Sequence, residues 1–91
     1  MLPMQVISEQ LKNFIVKHFP LARNRNLHND DPLLENGILD SLGVLDLVTY
    51  LEKEFGISIS DEDLVPENFQ TIGHIAAFVQ GKSKANSGQL P

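Results

Sequence analysis

The chain contains no cysteine, which excludes disulfides, Cys-based zinc sites and thiol catalysis by the polypeptide itself. Basic residues are scarce: 7 Lys and Arg against 12 Asp and Glu leave a formal charge of −5. Neutralising phosphates needs a basic surface, so nucleic acid is excluded as the main partner. No apolar run approaches the length of a signal core or a membrane span, and Met1-Leu2-Pro3-Met4-Gln5 carries no basic leader region. A cytoplasmic protein without membrane insertion is the expectation, and a monomer. With 91 residues there is room for one domain. Hydrophobic residues at 42% and charged ones at 21% are ordinary globular usage, which argues against a chain disordered throughout.

The apolar residues are spaced for helices. Ile7, Leu11, Phe14, Ile15 and Phe19 repeat at helical intervals from about Met4 to His18, opposite Glu9, Lys12, Asn13 and Lys17, and Pro20 stops the run. From Leu21 to Asp40 no period holds. Arg23, Asn24, Arg25, Asn26, His28, Asn29, Asp30, Asp31 and Pro32 are loop-formers. Leu27, Leu33, Leu34, Ile38 and Leu39 predict that this long loop is pinned onto the core. A second helix should start at Asp40 or Ser41 and end near Phe55, with Val44, Leu47, Val48, Leu51 and Phe55 inward and Gly56 as its stop. Ile57-Ser58-Ile59 reads as extended. Ser60-Asp61-Glu62-Asp63 has the pattern of a capping box, opening a short helix before Pro66. A last helix from near Thr71 to Gln80 buries Ile72, Ile75, Ala76 and Val79. The expected fold is all-α, a small four-helix bundle of three longer helices and one short one, with the long loop between the first two. The folded domain spans residues 1–81. Residues 82–91, with Leu90 their only large apolar side chain, read as a flexible tail.

Catalytic arrangements fail quickly. A nucleophilic serine needs a base and an orienting group, yet His18, His28 and His74 have no nucleophile-elbow context and Gly-x-Ser-x-Gly is absent. Asp30 to Gly37 resembles a calcium loop only superficially. Aligning Gly37 with the required glycine puts Pro32 and Leu34 at ligand positions and Gly43 where the bidentate acid belongs. Asp61-Glu62-Asp63 is explained by the electrostatics of a helix start. No catalytic residue and no metal ligand is expected.

The second helix says more. At about 100° per residue from Val44, the buried stripe lies within about 60° of the origin, whereas Leu42, Leu45, Asp46, Thr49 and Lys53 lie at about 100–200°. Either the long loop folds over Leu42 and Leu45, or they are exposed for a partner. Residues 40–67 hold eight acids (Asp40, Asp46, Glu52, Glu54, Asp61, Glu62, Asp63, Glu67) against Lys53 alone. Such a run is a solvated face or a surface complementary to a basic partner. Ser41 stands at the junction of loop and helix. Either Asp40 or Ser41 could be the N-cap, and a phosphate on Ser41 would lie at the positive end of the helix dipole.

Ile38-Leu39-Asp40-Ser41-Leu42, followed by Val44, Leu47, Val48, Leu51, Glu52, Glu54, Phe55 and Gly56-Ile57, resembles the acyl carrier protein family over most of the chain. In that family an Asp-Ser-Leu triplet opens the second helix and its serine carries 4′-phosphopantetheine. The resemblance implies a non-enzymatic phosphoprotein. Ser41 would be the attachment site, flanked by Asp40 and Leu42, with coenzyme A as the source of the arm. It implies a phosphopantetheinyl transferase, an acyl- or aminoacyl-loading ligase or synthase, and acceptor enzymes as partners, docking at Leu42, Leu45, Asp46 and Glu52. Phe14, Val48, Leu51, Ile59, Phe69, Ile72 and Ile75 are candidates to line an acyl chain as well as to form the core. Leu39 and Gly43 stand where carriers of primary fatty-acid synthesis usually have a small residue and an acid. Lys53 replaces a further acid, and Thr49 often gives way to a larger apolar residue. The glycines ahead of the serine in peptidyl carriers are absent too. The run Gly37 to Ser41 looks more like stand-alone specialised carriers, including those loaded by an AMP-forming ligase and the D-alanyl carriers. The rival reading is a carrier-like interaction module with Ser41 unmodified.

Overall fold

The computed structural model describes residues 3–22 and 27–88, and the side chains up to Ser83. Among them there is no strand. Three helices, α1 (Met4–His18), α2 (Ser41–Phe55) and α3 (Ile72–Gly88), are joined by loops with single 3-10 turns at Pro20–Ala22, Asp61–Asp63 and Pro66–Phe69. No described helix is long and apolar enough to cross a membrane.

Helical periodicity places the core. Ile7, Leu11 and Ile15 of α1, Leu47 and Leu51 of α2, and Ile72, Ile75, Ala76 and Val79 of α3 are all buried. α1 packs chiefly against α3. Phe19, at the end of α1, is buried too, while Phe14 is half-buried and stacks on Tyr50 of α2 at 4.0 Å between ring centroids. The Tyr50 hydroxyl donates to the Gln10 carbonyl at 3.4 Å, and burial, helped by the Glu54 charge, raises its pKa above the ordinary phenol value. α2 ends where Gly56 turns into the left-handed region at φ 63°, a conformation that side chains with a Cβ resist.

The long loop is part of the core. Leu27, Leu33, Ile38 and Leu39 are buried. The loop is also tied to the start of α3 through its backbone, Leu33 N–H donating to Gln70 O at 2.7 Å and Gly73 N–H to Asn29 O at 2.9 Å. Arg23, Asn24, Arg25 and Asn26 lie outside the described residues.

The short element expected after Ser60 is a 3-10 turn, Asp61–Asp63, opened by the Ser60–Asp63 capping box, and a separate 3-10 turn lies at Pro66–Phe69. Pro66 cannot donate to a helical ladder, so the five residues from Asp61 have no room for a second turn. The last helix does not stop near Gln80, because α3 runs on to Gly88. Gly81 sits within it without positive φ, as an interior helical residue. The boundary expected between residues 81 and 82 therefore falls inside a helix, while Gln89, Leu90 and Pro91 lie outside the described residues.

Candidate functional site

The first turn of α2 separates two roles that the sequence leaves open. Asp40 is the N-cap: its backbone is extended, its Oδ1 accepts from Gly43 N–H at 2.7 Å, and its carbonyl accepts from Val44 N–H at 2.8 Å. Ser41 is thereby released from capping and occupies the first helical position, exposed to solvent. First-turn amides lack intrahelical acceptors, and the helix dipole makes this end positive, so a phosphoryl group on the Ser41 hydroxyl meets a favourable field.

Gly43 is held for a different reason. A Cβ there would lie 2.8 Å from Phe19 Cε1 and 3.2 Å from Asp40 Oδ1. The Phe19 ring thus packs directly against the helix start, and itself meets Phe14 edge-on at 6.0 Å. Gly43→Ala should lower the thermal midpoint. Overpacking of about 1–3 kcal/mol outweighs the gain of up to ~1 kcal/mol in helix propensity. A net loss of about 1 kcal/mol shifts the midpoint by roughly 4–8 °C, and a thermal melt showing no decrease would refute the close packing.

Beside Ser41 opens a cleft of about 640 Å³, lined by the loop (Leu34, Leu39), by α2 (Val44, Leu45) and by the wall Leu64, Val65, Pro66 and Phe69. Of the residues expected to line an acyl chain, only Phe69 is among them. Leu51, Ile72 and Ile75 are sealed in the core, Phe14 stacks on Tyr50 away from the cleft, and Val48 and Ile59 are partly buried elsewhere. Helical periodicity identifies buried faces, and it misses a cleft whose lining comes mostly from irregular segments.

The docking candidates fall in different places. Leu42 is 73% exposed and Leu45 53%, so the described part of the loop does not fold over them. Asp46 is exposed on the same helix. Glu52 is exposed as well, but one carboxylate oxygen accepts from Ile59 N–H at 2.9 Å, which anchors the chain leaving α2. The histidines do not assemble a catalytic group. His74 Nδ1 is 2.7 Å from the Thr71 hydroxyl, and His28 lies 3.8 Å from Asp31. Among the described residues no cluster of three or more potential metal ligands exists.

Residues 9–79 match the family described as phosphopantetheine attachment site. The chain is 33% identical over 75 residues to the probable acyl carrier protein PigG of Serratia sp. (strain ATCC 39006), covering 82% of this chain and 86% of that protein. It is 31% identical over 80 residues to the acyl carrier protein of Buchnera aphidicola subsp. Acyrthosiphon pisum (strain 5A), covering 88% and 96%. Among solved structures, a chain in one titled "Crystal structure of FAD-dependent dehydrogenase" is similar at a TM-score of 0.64 and 27% identity, over 80% of this chain and 97% of that one. An exposed serine at a capped helix start with an apolar cleft beside it suits a protein that bears a prosthetic group. The chain belongs to the acyl carrier protein family: it is a carrier, not an enzyme, and its cofactor is covalent 4′-phosphopantetheine.

Proposed function

We propose that Ser41 is the attachment residue. The observation that carries this reading is the exposed Ser41 hydroxyl at the first position of α2, released from capping by Asp40 and placed at the mouth of an apolar cleft. In the modification, a bond forms between Ser41 Oγ and phosphorus as the pyrophosphate bond of coenzyme A breaks. Adenosine 3′,5′-bisphosphate leaves, and the hydroxyl proton passes to a base on the transferase. The arm supplies a thiol on which an acyl or aminoacyl group is held as a thioester. Tethering keeps that group at high effective concentration for each docked enzyme, while the cleft offers apolar surface to its carbon chain. The setting is the cytoplasm, and the pathway lipid or specialised-metabolite synthesis. The 3-10 turns from Asp61 to Phe69 stand in this reading as the short fourth element of the bundle. Incubation with coenzyme A and a broad-specificity transferase, followed by intact mass measurement, should show one phosphopantetheinyl group per chain. No adduct in the presence of an active transferase would favour the interaction-module reading.

Partners dock, in this reading, on the exposed face of α2 next to Ser41, with Leu42 and Leu45 supplying apolar contact and Asp46 charge. Glu52 adds the carboxylate oxygen not taken by Ile59. The partner classes are the transferase, a loading ligase or synthase and acceptor enzymes. We include a flavin-dependent dehydrogenase among those to assay, because a similar chain occurs in a solved structure of that description. Asp46→Lys should leave helicity unchanged and slow modification or loading by about threefold or more at low salt, an effect that shrinks as salt rises. Leu45→Ala should weaken docking with much less salt dependence, because it removes apolar contact. Equal loading of Asp46→Lys at low salt would leave the acids as a solvated face and move the search to the loop around Leu33 to Leu39.

A further inference from the structure

We propose that the ion pair between Lys82 and Asp63 is a latch that fixes one wall of the cleft beside Ser41, which makes Lys82 a positioning residue for the carried acyl group. The wall has little regular structure of its own. Leu64, Val65, Pro66 and Phe69 all line the cleft, yet they belong to two single 3-10 turns and the residues between them. What holds this segment converges on Asp63. Its carboxylate accepts from Lys82 Nζ at 2.7 Å, from Ser60 N–H at 3.0 Å and from Ser60 Oγ at 3.1 Å. Its carbonyl accepts from Val65 N–H at 2.9 Å and from Asn68 Nδ2 at 2.8 Å. The residue immediately before Leu64 is therefore bonded on both sides, and its cationic partner comes from α3, the helix whose inner face is buried through Val79.

Lys82 meets the wall along a second route. Its ammonium lies 5.9 Å from the centroid of the Phe78 ring, and Phe78 packs on Phe69, which lines the cleft, at 5.9 Å between centroids. A partly exposed ion pair adds little to global stability. Its value is local, because it ties an irregular segment to a rigid helix and so spares an entering chain the cost of ordering the wall. Support comes from the Asp63 carboxyl, whose pKa is held below the usual range by the Lys82 hydrogen bond first and by Ser60 next.

The acyl role rests on the carrier reading, so the test has two arms. The first uses the unmodified protein. Lys82→Met keeps an apolar stem against Phe78 and removes the charge. Amide exchange at Leu64, Val65 and Asn68 should then be about fivefold faster, with α1 amides unchanged. Lys82→Arg should stay near wild type and Asp63→Asn should follow Lys82→Met. Unchanged exchange in Lys82→Met overturns the latch, whatever the fate of Ser41. The second arm compares octanoyl and acetyl thioesters on the modified carrier, read by their reaction with hydroxylamine. The octanoyl form should react more slowly in wild type. Lys82→Met should lose at least about half of that protection, while its acetyl form reacts as in wild type. Octanoyl protection that is absent in wild type, or intact in Lys82→Met, overturns the positioning role. Failure of the transferase to modify Ser41 sinks the carrier reading instead, and leaves the exchange arm to decide the latch.

Discussion

Ser41→Ala is expected to accept no phosphopantetheinyl group under conditions that modify wild type to completion, with its helical signal and thermal midpoint nearly unchanged. Ser41 is exposed and Asp40 does the capping, so removing the hydroxyl leaves the helix start intact. An exposed first-turn substitution costs within about 0.5 kcal/mol, and alanine is the best helix former. Intact mass on both proteins, beside a melt, makes the comparison. An adduct on the alanine variant would place attachment elsewhere, but Ser8 and Ser60 are poorly suited. Ser8 is buried at 7% exposure and Ser60 is bonded to Asp63 through both its amide and its hydroxyl.

The second large effect is on stability. Leu51→Ala should cost about 2–5 kcal/mol, because the side chain is fully buried and its removal leaves a cavity. Such a loss is a large fraction of the stability of a small domain and should lower the midpoint by about 10 °C or more. Leu45→Ala is the internal control: the same deletion on the same helix, at a side chain that is 53% exposed, should fall within about 0.5 kcal/mol. If the two variants melt together, α2 does not turn Leu51 inward and Leu45 outward. Chemical denaturation of both proteins checks the pair independently, and only Leu51→Ala should show a large drop in midpoint.

The helices are legible in the sequence because their signals are local. Pro20 after the first periodic run and Gly56 after the second mark where hydrogen-bond ladders stop, and α1 and α2 end at those places. The candidate Ser41 is marked in the sequence by its place between Asp40 and Leu42, though only the structure distinguishes which of Asp40 and Ser41 is the cap. Three features escape. The cleft lining draws on Leu34, Leu64, Val65 and Pro66, residues from segments without a period that are brought together by tertiary contact. The need for glycine at position 43 depends on Phe19, remote in sequence, and shows itself in the chain only as the lack of a side chain. Lys82 lies beyond the last apolar repeat in a stretch of tail-like composition. Its pairing with Asp63 across nineteen positions leaves no periodic trace.

The packing of α1 chiefly against α3 also sets an order of events during synthesis. Translation delivers α1 first and the Ile72–Val79 stretch last, so Ile7, Leu11 and Ile15 emerge from the ribosome long before the side chains that cover them. The long loop waits as well, since Leu33 and Asn29 find their backbone partners at Gln70 and Gly73. A nascent chain ending before Gln70 can form helices, but it cannot close the bundle, and its apolar stripes stay open to chaperones or to one another. Contacts between distant parts of the chain also slow folding relative to a simple helical hairpin. The platform that presents Ser41 is therefore completed by residues from Gln70 onward, after the serine itself has been made.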